Sequence, residues 1–452
     1  MTDQQMTILA PCGMLGYGIP ERSLAEGMKR QPDVLGVDAG STDPGPYYLG
    51  AGKAFTDPRA YRRDLTMVLD AAKQHNIPVL LGSAGGGGGT PHLAYTVDMF
   101  RDICRQRGHH FRVATIEAEI PPATLHDKLK AGKLLVHDTG TALTAADIDD
   151  SVRIVGQMGY EPFMRALEMG AEVILAGRAY DPAPLGALAM LRGYDPALTI
   201  HLGKILECGG AAAYPRHGSD SLLGFLAEDH FLVEPPNPDK VCTVASVAAH
   251  TLYEKADPYN LHLPGGTLDL HQAVFEQYDE RTVKVSGSKF VRAPQDTVKL
   301  EGVRRVGFRT ITIAGSRDAQ LIAHVDDYIA NVRERVAEIY PPDLGYHLQF
   351  HIYGKNGVMG PLEPRPQITS HELCFLIEVI AETADLSASV LALARSTALH
   401  ATYPGRRAIA GNLAFPFSPS DIPVGEVFEF NVYHLCVVDD PCELFPITTF
   451  EV

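Results

Sequence analysis

The chain has 452 residues, with 39 Lys and Arg against 55 Asp and Glu for a formal net charge of −16, and 45% of its residues are hydrophobic. At about 150 residues per domain this is two or three domains with a core that needs no disulfide or metal staples, and general disorder is excluded. The acidic balance excludes a sequence-independent grip on nucleic acid, which needs clustered Lys and Arg, while leaving room for local binding of an anionic substrate.

From the N-terminus, short apolar β-branched runs alternate with helical patterns, which predicts parallel strands covered by helices. Strands are expected at Thr7 to Ala10, Val34 to Val37 and Ile77 to Leu81. Between the last two, Leu65, Val68, Leu69 and Ala72 recur at helical spacing and complete a β-α-β unit. The next helix is well punctuated: Thr90 as its cap, Pro91 in its first turn, Leu93, Val97, Phe100 and Cys104 on its inner face, and Gly108 as its stop. Further strands are expected near Val113 to Ile116, Leu134 to Val136 and Val173 to Leu175, the last preceded by a helix from Glu161 to Gly170. About six strands in roughly 180 residues fit one doubly wound sheet.

A Pro-rich stretch from Val233 to Asp239 marks the expected domain boundary. Downstream the strands lengthen, as at Val306 to Ile313, His347 to Tyr353 and Val427 to Val432, and one helix carries Leu321, Ile322, Val325, Ile329, Val332 and Val336 on a single face. The fold class is therefore α/β, with a doubly wound, mainly parallel sheet in residues 1–234 and a second, mixed α+β domain in residues 235–452.

In open α/β sheets ligands bind beyond the carboxyl ends of the strands, where loops meet helix N-termini. Those loops hold Cys12, the run from Asp38 to Gly45, the run from Ser83 to Thr90, Glu117, Asp138, and Arg178 with Asp181. Gly85, Gly86, Gly87 and Gly88, followed by Gly89, let backbone N–H groups approach an anion at a helix start, so this loop is expected to cradle a phosphate or carboxylate with Ser83, Thr90 and His92. It matches neither G-x-G-x-x-G nor a Walker loop, which sets aside dehydrogenase and kinase readings. Asp38 or Asp43 is a candidate general base, with Ser41 and Thr42 orienting a substrate oxygen. Arg178 is expected to clamp a substrate carboxylate while Asp181 holds the guanidinium. Glu207 and Cys208 are the remaining proton-transfer candidates, with Cys12 offering a second thiol.

The seven cysteines, Cys12, Cys104, Cys208, Cys242, Cys374, Cys436 and Cys442, are scattered and form no C-x-x-C, so zinc ribbons and dithiol redox motifs are unsupported. No H-E-x-x-H and no G-x-S-x-G occurs. The opening residues carry neither a basic n-region nor a long apolar h-region, and no run of about 18 apolar residues follows. A reduced, cytoplasmic protein without a membrane partner is expected.

Several blocks together resemble the acyclic terpene utilisation (AtuA-type) family: Ser41 to Tyr48, Gly82 to Gly85, Ala176 to Pro182, Lys204 to Gly209, Tyr353 to Gly360, Tyr403 to Arg406 and Gly411 to Pro416. The resemblance covers nearly the whole chain. It implies a place in the degradation of citronellol-like terpenoids through CoA thioesters, without a catalytic residue to carry over. Some relatives have a small additional C-terminal domain, while this chain ends at Val452 after the block from Phe415 to Asp421. A small partner protein supplied in trans is the expectation that follows.

The functional expectation is a lyase or isomerase, a hydratase/dehydratase or proton-shifting enzyme, acting on a small carboxylate or its CoA thioester. No cofactor is called for, and a divalent metal on Asp38, Asp43 and Asp138 is the one metal option the oxygen ligands offer. The alternative is a non-catalytic or partner-dependent acyl-CoA-binding subunit. A homo-oligomer is expected from size alone.

Overall fold

The computed structural model describes residues 5–137, 140–216, 218–252, 257–407 and 409–452. Contacts divide the chain into two compact units, residues 1–304 with 430–452, and residues 305–429.

The first unit opens with β1 (Met6–Ala10), α1 (Glu21–Met28), β2 (Val34–Asp38), α2 (Pro46–Ala51), α3 (Pro58–His75), β3 (Val79–Gly82), α4 (Thr90–Arg107) and β4 (Arg112–Ile116). It continues through α5 (Pro122–Lys130), β5 (Leu134–Val136), α6 (Ala145–Asp150), β6 (Arg153–Gln157), α7 (Glu161–Glu168), β7 (Val173–Ala176), α8 (Ala183–Leu191) and α9 (Pro196–Leu206). Shorter elements follow: β8 (Ala213–Tyr214), β9 (Leu222–Leu226), β10 (His230–Glu234), β11 (Val241–Cys242), α10 (Val244–Leu252), β12 (Asn260–Leu263), β13 (Gly266–Asp269), β14 (Val274–Gln277), β15 (Val283–Ser286) and β16 (Lys289–Arg292). The long β17 (Thr297–Ser316) leads into the second unit, which contains α11 (Ala319–Ala323), α12 (Val325–Ile339), β18 (Tyr346–Tyr353), β19 (Leu373–Ala381) and α13 (Ala384–His400). The chain returns through β20 (Asp421–Val437) and ends on β21 (Ile447–Glu451).

Among the described residues ten strands form the main sheet in the order β14-β15-β10-β9-β1-β2-β3-β7-β4-β21. Its centre, β1-β2-β3-β7-β4, is parallel, and antiparallel strands extend it on both sides. The central strands are buried on both faces because alternate residues join different cores. Ile8, Leu80, Ala114 and Ile174 pack with α7, α8 and α9 through Phe163, Leu185 and Ile200. Leu9, Leu81, Val113 and Leu175 pack with α3 and α4 through Leu65, Leu69, Val97 and Phe100. Helices on both faces make the sheet doubly wound, as the alternating sequence pattern predicts.

Two expectations change. Leu134–Val136 does not join the main sheet but pairs antiparallel with β20. Its three residues are half-buried or exposed, whereas a place in the parallel centre demands burial on both faces. The Pro-rich stretch after Val233 connects strands of one sheet, since β10 before it pairs with β15 after it. In the second unit, β19 lies between β18 and residues 308–316 of β17, antiparallel to both. The helical stripe from Leu321 to Val336 is broken at His324 into α11 and α12, with Leu321, Val325, Val332 and Val336 buried. Among the described residues no helix is long and apolar enough to cross a membrane.

Candidate functional site

The carboxyl ends of β1, β2, β3 and β7 lie on one rim of the sheet, because parallel pairing sets Asp38 opposite Gly82 and Leu81 opposite Leu175. Cys12, Asp38, Ser83 and Arg178 therefore leave adjacent strands on the same side. β9 runs antiparallel beside β1 with Leu222 opposite Ala10, which brings Asp220 and Ser221 to that rim as well.

Arg178 is the fixed point of the rim. Its residue is 3% exposed, Nε donates to Glu301 Oε2 at 2.7 Å, and Nη1 donates to Ser83 Oγ at 3.2 Å, Ala179 O at 2.9 Å and Asp181 Oδ1 at 3.1 Å. Burial works against its charge, and Glu301 and Asp181 outweigh burial to hold its pKa above the ordinary value. Lys299 Nζ meets the other oxygen of Glu301 at 2.8 Å. Burial works against the Glu301 charge too, and Arg178 and Lys299 bring its pKa down to about 2. Ser83, expected to touch substrate, instead orients the guanidinium, and it adopts a left-handed φ of 52° that a non-glycine residue rarely takes. On the rim's other side, Lys204 pairs with Glu207 three residues on. Burial opposes the Lys204 charge, and Glu207 more than compensates, raising its pKa.

Among the described residues no cation pairs with Asp38. Its Oδ1 accepts the Gly40 N–H at 3.2 Å, and the residue is 7% exposed. Burial pushes its pKa well above the usual carboxylate range, and Asp181 pushes it further, against the Gly40 N–H and Arg178. Cys12 is buried beside it, and burial followed by the Asp64 and Asp38 charges raises the thiol's pKa. The Tyr17 hydroxyl is also raised, by burial and then by Asp38.

The two thiol loops do meet. A Cβ on Gly13 would stand 2.8 Å from Cys208 O, and one on Gly209 would stand 2.8 Å from the Cys12 carbonyl carbon. All seven cysteines are free thiols. Asp220 holds this junction together: its backbone oxygen accepts the Gly210 N–H at 2.8 Å and its carboxylate pairs with buried Lys240 at 2.9 Å.

The glycine run is packed into protein. Gly85 to Gly89 are all buried. Gly88 has φ +68°, its carbonyl accepts the Arg178 N–H at 3.0 Å, and a Cβ there would stand 2.2 Å from Arg178 N. Gly40 and Gly86 touch backbone to backbone, since a Cβ on Gly40 would stand 2.1 Å from Gly86 Cα. The start of α4 already holds an anion: Thr90 N donates to Glu119 Oε2 at 2.8 Å, and Arg153 Nε pairs with the same oxygen at 3.0 Å. Gly89, not Thr90, is the N-cap, so the N-cap residue itself supplies no side-chain cap. His92 Nε2 lies 3.0 Å from Tyr48 O and 3.2 Å from Lys53 O, so it tethers the segment after α2, and burial lowers its pKa.

Asp43 is exposed, and its N–H donates to Ser41 Oγ at 3.1 Å; Ser41 and Thr42 are half-exposed. Asp138 lies outside the described residues. Among the described residues no three His, Cys, Asp or Glu side chains stand together as a metal would require.

Three contributors were missed by sequence reasoning. Glu301 and Lys299 lie on β17, 123 and 121 residues beyond Arg178, with no local motif to flag them. Asp64, fully buried on α3, accepts the N–H groups of Gly16, Gly18 and Ile19 at 3.1, 2.9 and 3.0 Å and so pins the loop after β1. A carboxylate on the otherwise apolar inner face of α3, beside Leu65 and Val68, was the available signal.

The model of the acyclic terpene utilisation family protein AtuA matches residues 51–216 and 229–418. No curated protein and no solved structure matches the chain. With most of its length matched, the chain belongs to the AtuA family of acyclic terpene utilisation proteins.

Proposed function

We propose that this protein is a cytoplasmic acid/base enzyme, a lyase or isomerase of the hydratase/dehydratase or proton-shifting kind, acting on a small carboxylate or its CoA thioester in terpenoid or branched-chain acid catabolism. The observation that carries this reading is the pairing pattern on the rim: Asp38 is a buried carboxyl whose pKa is raised by burial and then by Asp181, while the Asp181 carboxylate pairs with Arg178 at 3.1 Å. A buried carboxyl with a raised pKa beside a carboxylate paired to a cation offers a proton donor and a proton acceptor in one site. For a dehydration, Asp181 takes the proton from the carbon next to the carboxyl group, the C–O bond breaks, and the hydroxyl leaves as water with the Asp38 proton as the C=C bond forms. The cycle closes when Asp181 releases its proton to water and Asp38 regains one. Glu207 and Cys208 line the same rim and can relay protons, and Tyr180, whose pKa is raised by burial and then by Glu207 and Asp181, stays a neutral hydrogen-bond donor there.

The test is deuterium exchange. Hydroxy acids, enoic acids and their CoA thioesters are incubated with the protein in D2O, and label at carbon is followed by NMR. Exchange into one of them, lowered about 10²-fold or more by Asp38→Asn, supports the reading. Exchange into none contradicts it.

A partner-dependent acyl-CoA-binding subunit is the second reading. It is favoured by the exposed apolar side chains Val358, Met359 and Leu362 between β18 and β19, beside the Tyr353 to Gly360 motif, which a partner would cover. Exchange that appears only after a partner protein is added would favour it.

A further inference from the structure

The fixed charges of the rim cancel. Arg178 pairs with Glu301 and Asp181, Lys299 with Glu301, and Lys204 with Glu207, so three cations face three carboxylates. Asp38 is the extra acid. With Asp38 ionised the rim carries a net negative charge and repels an anion; with Asp38 protonated it is neutral.

Arg178 has capacity left. All four of its hydrogen bonds leave from Nε and Nη1, so among the described residues Nη2 has no protein acceptor, although the residue is 97% buried (3% exposed). A guanidinium nitrogen left without a protein acceptor on an otherwise buried side chain can serve a ligand, and a carboxylate is the acceptor its geometry fits best. A thioester carbonyl is neutral and recovers far less. The adenosine and phosphate portions of CoA would also need anion sites, and the helix start after the glycine run, that of α4, is taken by Glu119.

We infer that the ligand of this rim is a free small hydroxy acid, held through its carboxylate by Arg178 Nη2 and taken up together with one proton carried by Asp38, and not the CoA thioester of that acid. This rests on the acid/base reading above and narrows its substrate class. The groups facing Asp38 are Asp181, Glu207 and Arg178, with Cys12, Tyr17 and Tyr61 also within reach of its charge. Cys12, Tyr17 and Tyr61 all have raised pKa values and stay neutral, and Asp181 and Glu207 are each paired with a cation, which leaves Asp38 as the acid of this set that takes up a proton on binding.

The experiment is isothermal titration of the full chain with L-malate, 3-hydroxybutyrate and crotonyl-CoA, across pH and in two buffers of different ionisation enthalpy. At least one of the two free acids binds with net proton uptake, and its affinity weakens about tenfold per pH unit once Asp38 ionises. In Asp38→Asn, an isosteric change, the proton uptake and the pH dependence both disappear. Arg178→Lys, which keeps the charge but loses the fork, weakens binding at least tenfold, and a melting curve reports whether this variant folds. Proton uptake by the unmodified protein decides the matter whatever the variants do. Binding of neither acid, or binding without proton uptake, overturns the inference. Preferential binding of crotonyl-CoA also overturns it, and the acid/base reading then survives if deuterium exchange into crotonyl-CoA still depends on Asp38.

Discussion

Replacing Glu301 by Gln removes the carboxylate that neutralises Arg178 and Lys299 while keeping shape and hydrogen-bonding atoms. The Glu301 pKa falls from an ordinary 4.5 to about 2 in the folded protein. At about 1.4 kcal/mol per pH unit that fall amounts to about 3 kcal/mol, which agrees with the roughly 3 to 5 kcal/mol expected when one member of a buried pair is removed. Because the folded pKa lies below the unfolded one, this contribution is complete above pH 4.5 and fades as pH falls toward 2. Urea unfolding of the full chain, followed by far-UV circular dichroism, is therefore expected to give a difference of about 3 kcal/mol between wild type and Glu301→Gln at pH 7 and about half of that at pH 3. A gap that does not narrow with acid, or one under about 1 kcal/mol at pH 7, would refute the pairing of Arg178 with Glu301 as the anchor of the rim.

Gly88→Ala would place a Cβ 2.2 Å from Arg178 N at φ +68°, and is expected to cost at least about 3 kcal/mol; a melting temperature equal to wild type would show that the loop is not packed as described. Asp64→Ala leaves three backbone N–H groups without their acceptor, so a loss of at least about 3 kcal/mol and faster proteolysis between Gly13 and Ile19 are expected, with Asp64→Asn milder. Iodoacetamide should label half-buried Cys208 in the native protein well before Cys12, whose thiol is buried and whose pKa is raised; equal rates by peptide mass spectrometry would contradict the burial of Cys12.

Much of the first unit was legible because its signals are local. β1, β2 and α4 were readable from apolar runs and from Pro91 and Gly108, and α4 spans Thr90–Arg107 with Gly108 in the left-handed region that ends it. Burial on both faces is what made those strands apolar without interruption. β5 misled because three apolar residues carry no information about which sheet they join, and its partner, β20, lies about 300 residues away. Sequence order and the parallel rule gathered Asp38, Ser83, Arg178 and Asp181 on one rim. They could not show which cation each acid meets. The choice between Asp38 as a free acid and Asp181 as a paired one depends on Arg178 turning toward Asp181 and on Glu301 arriving from β17. The glycine run misled for a related reason: five glycines permit an anion cradle and close packing equally well, and only the presence of Glu119 at the start of α4 distinguishes them.

Whether Asp38 is the proton-bearing acid of this rim is measured by carbon-13 NMR of the aspartate carboxyl groups across pH in wild type and Asp38→Asn. One carboxyl resonance is expected to titrate above those of the surface aspartates and to be missing from the variant. A variant whose spectrum lacks only a resonance titrating with the surface aspartates would contradict it.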